Sequence, residues 1–193
     1  MEESLRGHDE EEMKRIHYGF MSQEDIPRLP PGHKKNRLTK QFVGVWTRFN
    51  NWPGHPPMVA VINKNKENER IIGFHAATFN KKVYINSYYL YVDEAYRGQG
   101  IAGELFLFSI IEAQRLGLTR FKNACQIDEA GDVFYQGFGL KPIARDKDHH
   151  YYDFSIEGIN DINDMRKCCE VEVPEKAIAL HLKKGREIII RRK

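Results

Sequence analysis

The segment Tyr89-Leu90-Tyr91-Val92-Asp93-Glu94-Ala95-Tyr96-Arg97-Gly98-Gln99-Gly100-Ile101-Ala102-Gly103 constrains this chain most, because it reads as a strand, a glycine turn and the start of a helix. Gly98, Gly100 and Gly103 allow a tight turn and a close approach of backbone to a ligand, where a Cβ would collide. Beyond the turn, Ile101, Leu105, Phe106, Phe108 and Ile111, with polar Glu104, Glu112 and Arg115 between them, recur at helical spacing. The glycines therefore stand at a helix N-terminus, whose unpaired N–H groups and dipole favour a phosphate anion.

What surrounds this unit fixes the fold class. Three strand-like runs precede it, Met58–Ile62, Arg70–Phe79 and Lys82–Val92, with Asn63–Glu69 and Asn80-Lys81 as hairpin turns. The helix from Gly98 ends near Gly117, a C-cap glycine. Thr119–Ala124 then reads as a strand, Glu129–Gln136 as a helix, and Gly139–Arg145 with His150–Ile156 as a final hairpin. A strand–helix–strand unit thus joins a meander to a hairpin. The expected fold is α/β (α+β), a mixed, mostly antiparallel central sheet flanked by helices.

Elsewhere the pattern is weaker. A short helix is expected around Glu10–Tyr18, a loop at Pro27–Gly32, and an amphipathic helix from Leu38 to Phe49. After residue 156, Asn160–Cys169 reads as helix and Ala177–Leu182 pairs with Glu187–Arg191 as a hairpin across Lys184-Gly185. The expected organisation is a main domain over residues 1–156 and a small C-terminal extension, 157–193, packed on it.

Composition bounds the function classes. With 30% charged and 41% apolar residues, the chain is that of a globular protein rather than a disordered one. No apolar run reaches membrane-spanning length and the acidic start is no secretory signal, so no membrane partner and a cytoplasmic location are expected. Cys125, Cys168 and Cys169 form no disulfide framework, and their spacing with His149 and His150 matches no familiar zinc pattern; no metal is expected. Basic clusters at His33–Arg37, Lys183–Arg186 and Arg191–Lys193 read as solvated loops and a charged tail, or as contacts for nucleic acid.

Two common phosphate-binding patterns do not apply. A P-loop needs Gly-Lys-Ser/Thr where this chain has Gly100-Ile101-Ala102, and a Rossmann fingerprint belongs to a repeated strand–helix alternation absent here. Instead, Arg97-Gly98-Gln99-Gly100-Ile101-Ala102 resembles the Arg/Gln-x-x-Gly-x-Gly/Ala signature of the GCN5-related N-acetyltransferase (GNAT) superfamily, and Leu90-Tyr91-Val92-Asp93 resembles the strand entering it. Downstream, Val133-Phe134-Tyr135-Gln136-Gly137-Phe138-Gly139-Leu140 is similar to that family's helix-to-strand segment.

The resemblance implies an acyltransferase that uses acetyl-CoA. Arg97, Gly98, Gln99, Gly100, Ile101, Ala102 and Gly103 would hold the coenzyme A pyrophosphate, while the edge of Leu90, Tyr91 and Val92 would hydrogen-bond the pantetheine arm and the thioester carbonyl, as an added strand does. Tyr135 matches the tyrosine that protonates the departing thiolate. Some members carry a glutamate base six residues before the position of Val92; Asn86 stands there, and His75, Asp128 and His55 are the remaining candidates. Asp128 also replaces an asparagine that contacts the cofactor in many relatives, and Trp46, Trp52 and His55 fall in the acceptor-site lid. The expected reaction is direct attack of an amine on the thioester, with Cys125 carrying no acyl group. The acceptor is a small-molecule, protein or nucleic-acid amine; the alternative is a non-catalytic binding module on the same fold.

Overall fold

We describe a computed structural model of the 193-residue chain, over residues 16–22, 25, 28, 58–64, 66–80, 84–167 and 175–189. Its strands are β1 (Ile16–Phe20), β2 (Met58–Ile62), β3 (Arg70–Asn80), β4 (Tyr84–Val92), β5 (Arg120–Gln126), β6 (Ala144–Arg145), β7 (His149–Ser155) and β8 (Glu187–Ile188). The helices are α1 (Ile101–Arg115), α2 (Ala130–Gly137), α3 (Ile162–Lys167) and α4 (Glu175–Lys183). The architecture is a mixed, mostly antiparallel sheet flanked by helices.

The chain divides into two compact units, Met1–Ala76 with Tyr88–Phe108, and Ala77–Ser87 with Ser109–Lys193. In the first, β1 pairs antiparallel with β2, and β2 with β3 through a register shift at Ala60/Val61. All five residues of β2 are buried, which is why Met-Val-Ala-Val-Ile reads as a continuous apolar run rather than an alternation. Phe74 stacks near Tyr89 at 5.5 Å on one face of β3, while the fully buried Leu105 and Phe106 of α1 lie on the other, beside Gly73 and His75. On β3, Gly73 leaves room for a close approach. A Cβ there would lie 3.0 Å from the Tyr91 carbonyl oxygen and 3.2 Å from Leu105.

In the second unit, β4 begins parallel to β5, with Tyr84 opposite Arg120 and Ile85 opposite Phe121. β5 then runs antiparallel to β7 over seven residue pairs, and β6 lies between β7 and β8. The register places Phe121, Asn123 and Cys125 on one face with Phe154, Tyr152 and His150. The aromatics pack there, Phe121 to Phe154 at 4.9 Å and Tyr135 of α2 to Tyr152 at 4.9 Å.

Several expectations are corrected. Ile16–Tyr18 belongs to a strand, because its backbone ladders onto Ile62–Ala60, so no helix runs to Tyr18. The strand expected from Gly139 begins only at Ala144. Ala177–Leu182 is part of helix α4, and β8 pairs with β6. The glycine read as a hairpin turn, Gly185 at φ +69°, ends that helix: the Gly185 N–H donates to the Leu182 carbonyl at 2.9 Å and the Arg186 N–H to the His181 carbonyl at 3.1 Å. Arg186 lies 3.5 Å above the Tyr151 ring and donates to His181 Nδ1 at 3.1 Å, which fastens α4 to β7. The expected helix at Leu38–Phe49, the residues Trp46, Trp52, His55, Cys168 and Cys169, and the clusters His33–Arg37 and Arg191–Lys193 lie outside the described residues. Among the described residues, no helix is long and apolar enough to cross a membrane.

Candidate active site

In the first unit, the strand-to-helix turn is built by local hydrogen bonds. The Asp93 carboxylate accepts from the Ala95 N–H at 3.1 Å and starts a single 3₁₀ turn, Glu94–Tyr96. Gly98 and Gly100 follow with φ of +81° and +80°, a region closed to most side chains. Among the described residues, and apart from its chain neighbours, a Cβ on either would meet no atom within 4 Å. The backbone twist therefore demands glycine, and none of the described residues fills the space beside either one. The Gly100 carbonyl takes the first helical bond, from the Glu104 N–H at 3.1 Å, so Ile101, Ala102 and Gly103 present their N–H groups without intrahelical acceptors. This arrangement fits an anion.

The preceding strand presents two different edges. The Asp93 N–H donates to the Ile72 carbonyl at 2.7 Å, and the Tyr91 carbonyl is the atom nearest a Cβ on Gly73. Both residues thus turn their main chain toward β3. By alternation Leu90 and Val92 face the other way, along the outermost strand of this unit. There the Val92 carbonyl accepts from Arg97 Nε at 3.0 Å, and the Arg97 guanidinium lies 5.9 Å from the Tyr91 ring. Arg97 thus ties the end of the strand to the turn, while Gln99 is half-buried between the two glycines.

His75, a candidate base, has another role. It is fully buried on β3, with its ring bonded to the Leu105 carbonyl and edge-on to Phe106 at 5.8 Å. Burial, opposed weakly by that bond, lowers its pKa to about 3. A ring committed to the core in this way does not reach an acceptor amine.

In the second unit, Tyr135 is buried at 3% exposure, and its hydroxyl accepts from Asn123 Nδ2–H at 2.9 Å and is hydrogen-bonded to Ser87. Burial raises its pKa; the neighbouring Cys125 adds to the rise, and the Ser87 and Asn123 bonds oppose it. The phenol is consequently neutral throughout the physiological range. The Cys125 thiol is pushed up to about 12 by burial and by the Asp132 and Glu129 carboxylates, so it holds its proton and is a poor nucleophile.

Asp132, one turn before Tyr135, was not singled out by sequence, yet it organises this unit. Fully buried, it accepts from Tyr152 OH at 2.6 Å, from Gln136 Nε2 at 2.8 Å and from the Asp128 N–H at 3.2 Å, and it faces His150 Nδ1 at 2.9 Å. Burial alone would raise its pKa, but the bonds from Tyr152, His150 and Asp128 outweigh it and hold the carboxyl below its usual range. Asp128 itself is exposed and adopts φ +63°, which aspartate tolerates. Asn86, where a carboxylate was sought, is half-buried on β4. His149 faces Asp146 at 3.4 Å and His150 faces Asp132, and among the described residues no group of three or more metal-ligating side chains converges.

Comparison with known proteins agrees with this architecture. Residues 58–142 match the model of the acetyltransferase (GNAT) domain. No curated protein matches the sequence. Among solved structures, the ribosomal-protein-S18-alanine N-acetyltransferase from Escherichia coli is 14% identical and superimposes with a TM-score of 0.56, covering 75% of this chain and 98% of that one. The PaiA N-acetyltransferase from Thermoplasma acidophilum, in complex with coenzyme A, is 14% identical with a TM-score of 0.56 over 72% and 97% of the two chains. YncA from Salmonella typhimurium, with its cofactor acetyl-CoA, is 14% identical with a TM-score of 0.54 over 76% and 96%. At such identities the likeness is one of fold.

Proposed function

We propose that this chain, whose residues 58–142 match the acetyltransferase (GNAT) domain model, transfers an acetyl group from acetyl-CoA to a primary amine by direct attack, without an acyl-enzyme. The observation that carries this reading is the pair of positive-φ glycines before α1, beside which no described residue other than chain neighbours lies within 4 Å of where a Cβ would stand. The N–H groups of Gly98 to Gly103 would bind the pyrophosphate, with Arg97 and Gln99 bracing the turn and adding polar groups beside it. Leu90 and Val92 would hydrogen-bond the pantetheine amides along the open edge of β4, and the ring of Tyr91 would flank the arm.

The chemistry then asks little of the side chains. The amine nitrogen attacks the thioester carbonyl carbon, the C–S bond breaks with its electron pair passing to sulfur, and the attacking nitrogen gives up one proton to solvent. Tyr135 supplies a proton to the sulfur and is reprotonated from solvent, so that one thiol and one amide are formed. Asn123 and Ser87 would steady the phenolate left behind. Cys125, protonated and hydrogen-bonded, is unsuited to the alternative route through a thioester on the enzyme.

The test is thiol release from acetyl-CoA with a panel of amines: a short peptide with a free α-amino group, a polyamine and an aminoglycoside. Gly100→Glu places both strain and a negative charge in the cradle and should weaken acetyl-CoA binding by more than about tenfold in calorimetry. Tyr135→Phe should retain that affinity and slow thiol release by roughly a hundredfold. A folded Gly100→Glu protein with unchanged affinity would overturn the cradle, and a Tyr135→Phe protein of full activity would overturn the acid.

A further inference from the structure

Two half-buried side chains of β5 stand beside the phenol: the amide of Asn123, which that reading uses only to steady the phenolate, and the thiol of Cys125, to which it assigns no chemistry. Asn123 and Cys125 stand two residues apart on one face of β5, opposite Tyr152 and His150 of β7. The amide nitrogen of Asn123 lies 2.9 Å from Tyr135 OH and 3.6 Å from Cys125 Sγ. One Nδ2 hydrogen is thereby given to the phenol oxygen and the other to sulfur, a weak acceptor that keeps the amide in this orientation.

We propose that Asn123 is a positioning residue for the acetyl transfer: it donates to the Tyr135 hydroxyl beside the Ser87 bond, the two bonds together favouring loss of the phenolic proton, and Cys125 holds the amide in place. The inference rests on the reading of Tyr135 as the acid. A phenol oxygen accepts through its lone pairs and donates through its single O–H, so an amide donor fixed on a lone pair keeps the O–H from turning to that side. The same N–H strengthens its bond as negative charge develops on the oxygen, which lowers the barrier to giving the proton away. A carboxylate at this position would act in the opposite sense, because it has no hydrogen to give and would draw the phenolic proton to itself.

Asn123→Asp makes that reversal without changing the side chain's shape. With acetyl-CoA and the fastest amine of the panel, kcat should fall roughly ten- to a hundredfold at pH 8 with the KM for acetyl-CoA within about twofold. Activity should recover in part as the pH is lowered and the new carboxyl takes up a proton, since the protonated acid again has a hydrogen to donate. In a Tyr135→Phe background the substitution should change the rate by less than about twofold, because its effect passes through the phenol. Equal fractional losses in the two backgrounds, or an Asn123→Asp enzyme as fast as the parent at pH 8, would overturn the proposal. Should melting curves show that Asn123→Asp does not fold, Asn123→Ala enters the same double-mutant cycle, with the same coupling expected. A fully active Tyr135→Phe enzyme removes the acid and this inference together, whereas additive losses with a slow Tyr135→Phe enzyme remove this inference alone.

Discussion

His75 illustrates how little a residue type says before its surroundings are known. In sequence it is an imidazole on the strand before the glycine turn, and so one of three candidate bases; in the fold it is sealed between β3 and α1 and bonded to the Leu105 carbonyl. Its folded pKa of about 3 lies below the unfolded value of 6.5, so the unfolded chain takes up a proton that the folded chain refuses. Its contribution is full above pH 6.5 and is lost as pH falls from there toward 3, by about 1.4 kcal/mol per pH unit. Urea titrations at pH 7, 5.5 and 4.5 should show this slope, and His75→Gln, which keeps a donor for the carbonyl, should flatten it. Tyr135 is the converse case. Its place in a Phe-Tyr pair before a glycine pointed to it, but neither its burial nor the amide from Asn123 has a local signature, because that contact joins residues twelve apart through the pairing of α2 with β5.

At the scale of the element, the strands and helices between Met58 and Gly137 were legible, and so was the glycine turn that opens α1. β2 and β3 appear where apolar runs meet polar turns, and α1 where the 3.6-residue repeat begins. Ala177–Leu182 misled because small and apolar residues alternate in it as they do in a strand. Its true period shows only in burial, with Ala177 and His181 inside and Leu180 and Leu182 exposed, one helical turn separating the buried pair. Gly139 was read as the start of a strand for a related reason. It ends α2 as Gly185 ends α4, the next residue, Leu140, donating its N–H back to the Tyr135 carbonyl at 3.0 Å. Packing between elements leaves a sharper trace at Gly73. Gly73→Ala should destabilise the protein by roughly 1–3 kcal/mol in denaturant titration, since the nearest obstacle is the main-chain oxygen of Tyr91, which cannot move aside as a side chain does.

At the scale of the molecule, the chain enters each compact unit twice, passing between them at residues 76–77, 87–88 and 108–109. These passages fall inside β3, β4 and α1. Domains joined by linkers can be parted by a protease, because linkers are exposed chain with few backbone hydrogen bonds. Here each link is itself ladder or helix, so cleavage at any of the three first requires regular structure to open. Limited proteolysis followed by mass spectrometry should therefore find no early cut at any of these positions. Neither unit should be obtainable from the other by digestion, and a gene cut to encode one alone would sever a strand rather than a tether.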